Sequence, residues 1–115
     1  MTGGAQFKVA QYLQQIGLRD GDKVAVVANG NQIRCTWAYV SGVHVVTGMG
    51  NDAYDPKDQV QDLHLFFDHA DTRQQVLNVF RQQGAIAVVA PNMPFDINSF
   101  GWQRVPETHT WVFRF

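Results

Sequence analysis

Residues 23–47, KVAVVANGNQIRCTWAYVSGVHVVT, set the architecture of this chain. Lys23 to Ala28 is short, β-branched and apolar almost throughout, the pattern of a strand covered on both faces and so of a parallel sheet. Asn29-Gly30-Asn31 breaks that run. Ile33, Trp37 and Val40 then recur at helical spacing until Gly42 closes the helix, and Val43 to Thr47 returns to a second strand. Strand, helix and strand in so short a stretch form a βαβ unit, with the two strands parallel and the helix crossing over one face.

Upstream, Val9, Tyr12, Leu13 and Ile16 share one helical face from about Ala5 to Ile16, leaving Lys8, Gln11, Gln14 and Gln15 toward water. Gly17 takes the left-handed position of a helix C-cap and brings Leu18 onto Leu13 in a Schellman arrangement. Arg19-Asp20-Gly21-Asp22 is then the turn into the first strand. Met1 to Gly4 is small, polar and Gly-rich, and reads as a frayed or artificial end outside the fold.

Downstream, Gly48 to Asp58 has the composition of a loop. Val60, Leu63, Leu65, Phe66 and Phe67 fit neither period cleanly and read as a short helix or an irregular packed segment. Asp71 and Gln74 have capping-box spacing, Val76, Leu77 and Phe80 line one face, and Gly84 ends that helix. Ala85 to Ala90 is a third buried parallel strand, stopped by Pro91-Asn92-Met93-Pro94. Trp102 to Val105 and Thr110 to Phe115 flank a turn, and Trp111, Phe113 and Phe115 alternate onto what reads as the inner face of an antiparallel hairpin. Residues 5–115 are thus expected to form a single α/β domain. Its expected architecture is a three-layer Rossmann-like sandwich, with parallel strands in an order near 2-1-3 and the C-terminal hairpin added antiparallel at one edge.

With 45% hydrophobic and 17% charged residues, the chain has too much apolar material to remain disordered. Nine Lys and Arg against ten Asp and Glu give a net charge of -1. The basic residues are scattered from Lys8 to Arg114, which argues against a phosphate-driven nucleic-acid partner. No stretch approaches the roughly 20 apolar residues that span a bilayer, so a soluble chain with no direct membrane insertion is expected. The single Cys35 excludes an internal disulfide and any multi-cysteine metal site.

The loop around Asn29, Gly30 and Asn31 stands where a dinucleotide fold places its phosphate turn, with the amides of Asn31, Gln32 and Ile33 toward an anion. That fingerprint needs three glycines, and only Gly30 is present. The plainer reading is that Gly30 makes the turn and Asn31 caps the next helix. Asp52 falls about 20 residues after the glycine turn, where a ribose-binding acid would stand. It reads more readily as one of several loop carboxylates, beside Asp55 and Asp58. Asn92, following the third strand, completes the candidate ligand-binding set at the carboxyl ends of the strands. No cofactor is expected. His44, His64, His69 and His109 lack metal-ligand spacing. Ser41 and Ser99 lack a nucleophile-elbow context, and the sole glutamate, Glu107, sits in a hairpin turn, a poor place to raise a carboxyl pKa by burial. The residues carry no catalytic signature, and the chain alone reads as leaning away from an enzyme.

The runs LRDGDKVAVVANG, IRCTWAYVSGVHVV, FDHADTRQQVLNVFRQQGAIAVVAPNMP and GWQRVPETHTWVFRF resemble the soluble C-terminal domain of bacterial multi-pass membrane proteins. Some of those proteins are similar to membrane-embedded glycosyltransferases of the dolichyl-phosphate-mannose protein mannosyltransferase type. The resemblance is collinear from about Phe7 to Phe115, and it is carried by core strands, helix stops and the closing aromatic hairpin. It departs at two places. Thr36-Trp37-Ala38-Tyr39 stands where the family has a Tyr-Trp-Ala-Arg type stretch, and Thr47-Gly48-Met49 stands where relatives often end the second strand in an acid. The resemblance implies an accessory Rossmann-like domain whose partner is the membrane-embedded part of the same protein, which would carry the chemistry. Attachment to the bacterial cell membrane is expected on the same ground. The alternative is a freestanding nucleotide- or nucleotide-sugar-binding protein.

Overall fold

The computed structural model describes residues 2–27, 36–49, 67–91, 93, 96–97 and 101–115. In chain order the elements are α1 (Thr2–Gln15), β1 (Lys23–Val27), α2 (Thr36–Ser41), β2 (His44–Met49), α3 (Ala70–Gln82), β3 (Ala87–Ala90), β4 (Trp102–Arg104) and β5 (Trp111–Arg114). They form an α/β fold around one five-stranded mixed sheet, in the order β2-β1-β3-β5-β4. β1 pairs parallel with β2 and with β3, while β5 pairs antiparallel with β3 and β4. The parallel centre thus has the expected 2-1-3 order, and the hairpin joins it beside β3.

Alternation along the central strands builds the core. Val24 and Val26 of β1, with Ala87 and Val89 of β3, pack against Val9, Ala10 and Leu13 of α1 and Trp37 and Ala38 of α2. The intervening Ala25, Val27, Val88 and Ala90 pack instead with Leu77 and Phe80 of α3, and with Phe67, Met93, Ile97 and Trp102. Apolar residues therefore cover both faces of β1 and β3, which is why those strands read as unbroken apolar runs.

The helix stops follow the residues that predicted them. Leu18 N–H donates to Leu13 C=O at 2.9 Å and Gly17 N–H to Gln14 C=O at 3.1 Å, the paired bonds of a Schellman cap. Gly17 has φ +100, where a side chain would be strained, and Leu13 and Leu18 are both buried. The same pair of bonds ends α3, from Ala85 N–H to Phe80 C=O and from Gly84 N–H to Arg81 C=O. Gly42 N–H closes α2 onto Ala38 C=O at 2.8 Å.

Four expectations are corrected. α1 begins at Thr2, three residues before the expected Ala5, because Gly3 and Gly4 do not stop a helix that good formers continue. The capping box at Asp71 and Gln74 is absent. His69 is the N-cap without a side-chain cap bond, Asp71 lies inside the first turn, and Gln74 Nε2 donates to Asn78 Oδ1 at 3.1 Å instead. β2 is less buried than its composition suggests, with Val45 42% and Val46 38% exposed, because it is an edge strand paired only with β1 among the described residues. The aromatic alternation of β5 is not its most buried side. Val112 is 3% exposed, whereas Trp111 and Phe113 are half-buried and Phe115 is 39% exposed, since an internal strand offers both faces for packing. Of the apolar patch from Val60 to Phe67, only Phe67 is described, and it is buried edge-to-face on Trp102 with ring centroids 5.2 Å apart.

Candidate functional site

The parallel strands place their carboxyl ends along one edge of the sheet. Val27 at the end of β1 is in register with Met49 at the end of β2, and Val26 is in register with Val89 of β3. The chain leaves this edge toward Asn29, Gly30 and Asn31 after β1, toward Asp52 after β2, and toward Asn92 after β3. Those five residues themselves lie outside the described residues, as do Cys35, His64 and Ser99. α2, whose core residues are Trp37 and Ala38, packs on one face of the sheet, and α3, through Leu77 and Phe80, on the other. α2, after β1, and α3, before β3, therefore lie over opposite faces, the topology in which an open parallel sheet takes a ligand between two strands.

The hairpin turn stands at the same edge, because Ala90 at the end of β3 is in register with Trp111 at the start of β5. Met93 N–H donates to His109 C=O at 2.8 Å and fixes the chain after β3 against that turn. Within the turn, Thr108 N–H donates to Val105 C=O at 3.2 Å, and the Thr108 hydroxyl donates to the same carbonyl at 2.8 Å. Pro106 and Glu107 are its central residues. Glu107 has φ 64, the positive value that a type II turn requires at its second central position and that Gly or Asn usually supplies.

The Lys8 ammonium on α1 donates to the Glu107 carboxylate, and this contact holds the Glu107 carboxyl below its ordinary pKa, first through the hydrogen bond and then through the charge. One turn along α1, the Tyr12 hydroxyl donates to Gln103 Oε1 of β4 at 2.8 Å, and partial burial raises its pKa. Lys8, Tyr12, Gln103 and Glu107 thus tie α1 to the hairpin across about a hundred residues of sequence. Nothing in their local patterns announces this, since exposed polar positions on a helix and in a turn look alike in sequence.

The start of α2 is occupied from within the chain. Trp37 N–H, one of the donors that a helix leaves free in its first turn, bonds Gln6 Oε1 of α1 at 3.1 Å. The described part of this helix begins at Thr36, and Asn31, which the plainer reading takes as its cap, lies outside the described residues. The Trp37 indole Nε1–H is buried without an acceptor among the described residues. Ser41 is spent inside the same helix, its hydroxyl donating to Trp37 C=O at 2.7 Å. His44, His69 and His109 are exposed on the edge strand, before α3 and in the hairpin turn, and so are separated from one another by the fold. No group of three His, Cys, Asp or Glu side chains converges among the described residues.

The described rim of this edge therefore offers Gln6 and Lys8 from α1, and Glu107 and His109 from the turn. Lys8 and Glu107 neutralise each other there, and Gln6 already accepts a backbone donor. The arrangement supplies hydrogen-bonding groups along this edge, without a nucleophile set beside a base among the described residues. No family model, no curated protein and no solved structure matches this chain.

Proposed function

We propose that this chain is a non-catalytic accessory domain that positions a ligand or partner at the carboxyl edge of its parallel strands. The observation that carries the reading is the topology at that edge, where β1 and β3 lie side by side and the helices α2 and α3 lie over opposite faces. In this reading the architecture is a three-layer Rossmann-like sandwich, and Asn29, Gly30, Asn31, Asp52 and Asn92 contribute the ligand contacts. The collinear resemblance of residues 7–115 supports a further step. The natural partner is the membrane-embedded part of a bacterial multi-pass membrane protein of glycosyltransferase-like type, so the domain is held at the cell membrane. No helix among the described residues is long and apolar enough to cross a membrane, so the spans would have to come from that other part.

A freestanding nucleotide- or nucleotide-sugar-binding protein is the second reading, favoured by the same topology and by Gly30 after the first strand. What weighs against it is that Trp37 N–H at the start of α2 is already bonded to Gln6, and that the rim cation Lys8 is engaged by Glu107.

One measurement separates the readings, and a second tests the ligand site that both place at this edge. The accessory reading expects the natural reading frame to continue upstream of the Ala5 codon through several apolar segments, and a frame that starts here overturns the membrane attachment. Titration of the isotope-labelled chain with nucleotides and nucleotide sugars checks the ligand site independently. The binding reading expects amide shifts at residues 29–32, and no response across a broad panel counts heavily against it.

A further inference from the structure

We draw no further inference here: the strongest candidate, the β2 edge of the sheet, paired only with β1 among the described residues, with the exposed Val45 and Val46 and the neighbouring Tyr39 and Val40 of α2, has nothing in the structure to show what covers it, and the register shift between β1 and β2 works against simple edge-to-edge pairing with a second copy.

Discussion

Gly101 and Glu107 stand on either side of β4, and both have positive φ, 90 and 64, yet their surroundings give that conformation different consequences. At Gly101 a Cβ would lie 2.7 Å from the Phe113 ring, which is itself packed on Trp102 and Phe115 at centroid distances of 5.5 Å. Gly101→Ala combines a strained backbone with a ring that must move, so a loss of about 1–3 kcal/mol is expected. A urea titration measures it, and a midpoint equal to that of the parent chain would mean that the Phe113 ring has room to yield. Glu107 projects into water, where its marked interaction is the one with Lys8. Because that contact depresses the carboxyl pKa in the folded state, its stabilisation is present above the unfolded value of 4.5 and is lost as pH falls through the folded one. Glu107→Gln should therefore melt slightly below the parent near neutral pH, with the difference closing below about pH 4. A gap that persisted in acid would assign the effect to the turn backbone and not to the ion pair.

Among the elements, α1 does more than cover the sheet. Its Gln6 accepts the Trp37 amide in the first turn of α2, whose six described residues are too few to form a helix alone. Gln6→Ala leaves that amide without its acceptor and is expected to cost about 1 kcal/mol, while Gln6→Glu, which keeps an acceptor oxygen, should cost less. Chemical denaturation of the two variants side by side checks the contact, and equal midpoints for both and the parent would overturn it. α3 relies on a different arrangement. It has no side-chain cap, and Asp71 in its first turn and Arg81 in its last complement the helix dipole.

For the molecule as a unit, the decisive feature is that the last strand in sequence is an interior strand of the sheet. β5 lies between β3 and β4, pairing Val88 with Phe113 on one side and Trp102 with Phe113 on the other. Phe115 N–H donates to Ile86 C=O at 3.1 Å, and the Arg114 guanidinium donates to Ile16 C=O at the end of α1. Deleting residues 113–115 would open β3, detach β4 from part of its ladder and release the end of α1. The truncated chain is expected to melt far below the parent, or without a cooperative transition, when followed by far-ultraviolet circular dichroism. An unchanged melting curve would show that the sheet holds without the end of β5, and the assigned pairing of Phe113 and Arg114 would be wrong.

Local pattern was enough to specify the βαβ start, the buried runs Val24 to Val27 and Ala87 to Ala90, the helix stops at Gly17, Gly42 and Gly84, and the antiparallel hairpin. Each of these depends on a short-range period or on the backbone freedom of one residue. The candidate ligand residues were legible only as loop positions after strand ends, and the strand register explains why those loops depart from one edge of the sheet. Other features exist only once the chain is folded. β2 is the exposed edge, Val112 is buried more deeply than its aromatic neighbours, and α3 starts from His69 instead of a cap at Asp71. Folding also brought Lys8 to Glu107, Tyr12 to Gln103 and Gln6 to Trp37. These pairings join positions far apart in the chain, and most of their residues are ordinary surface types that acquire partners only when the sheet order fixes which elements are neighbours.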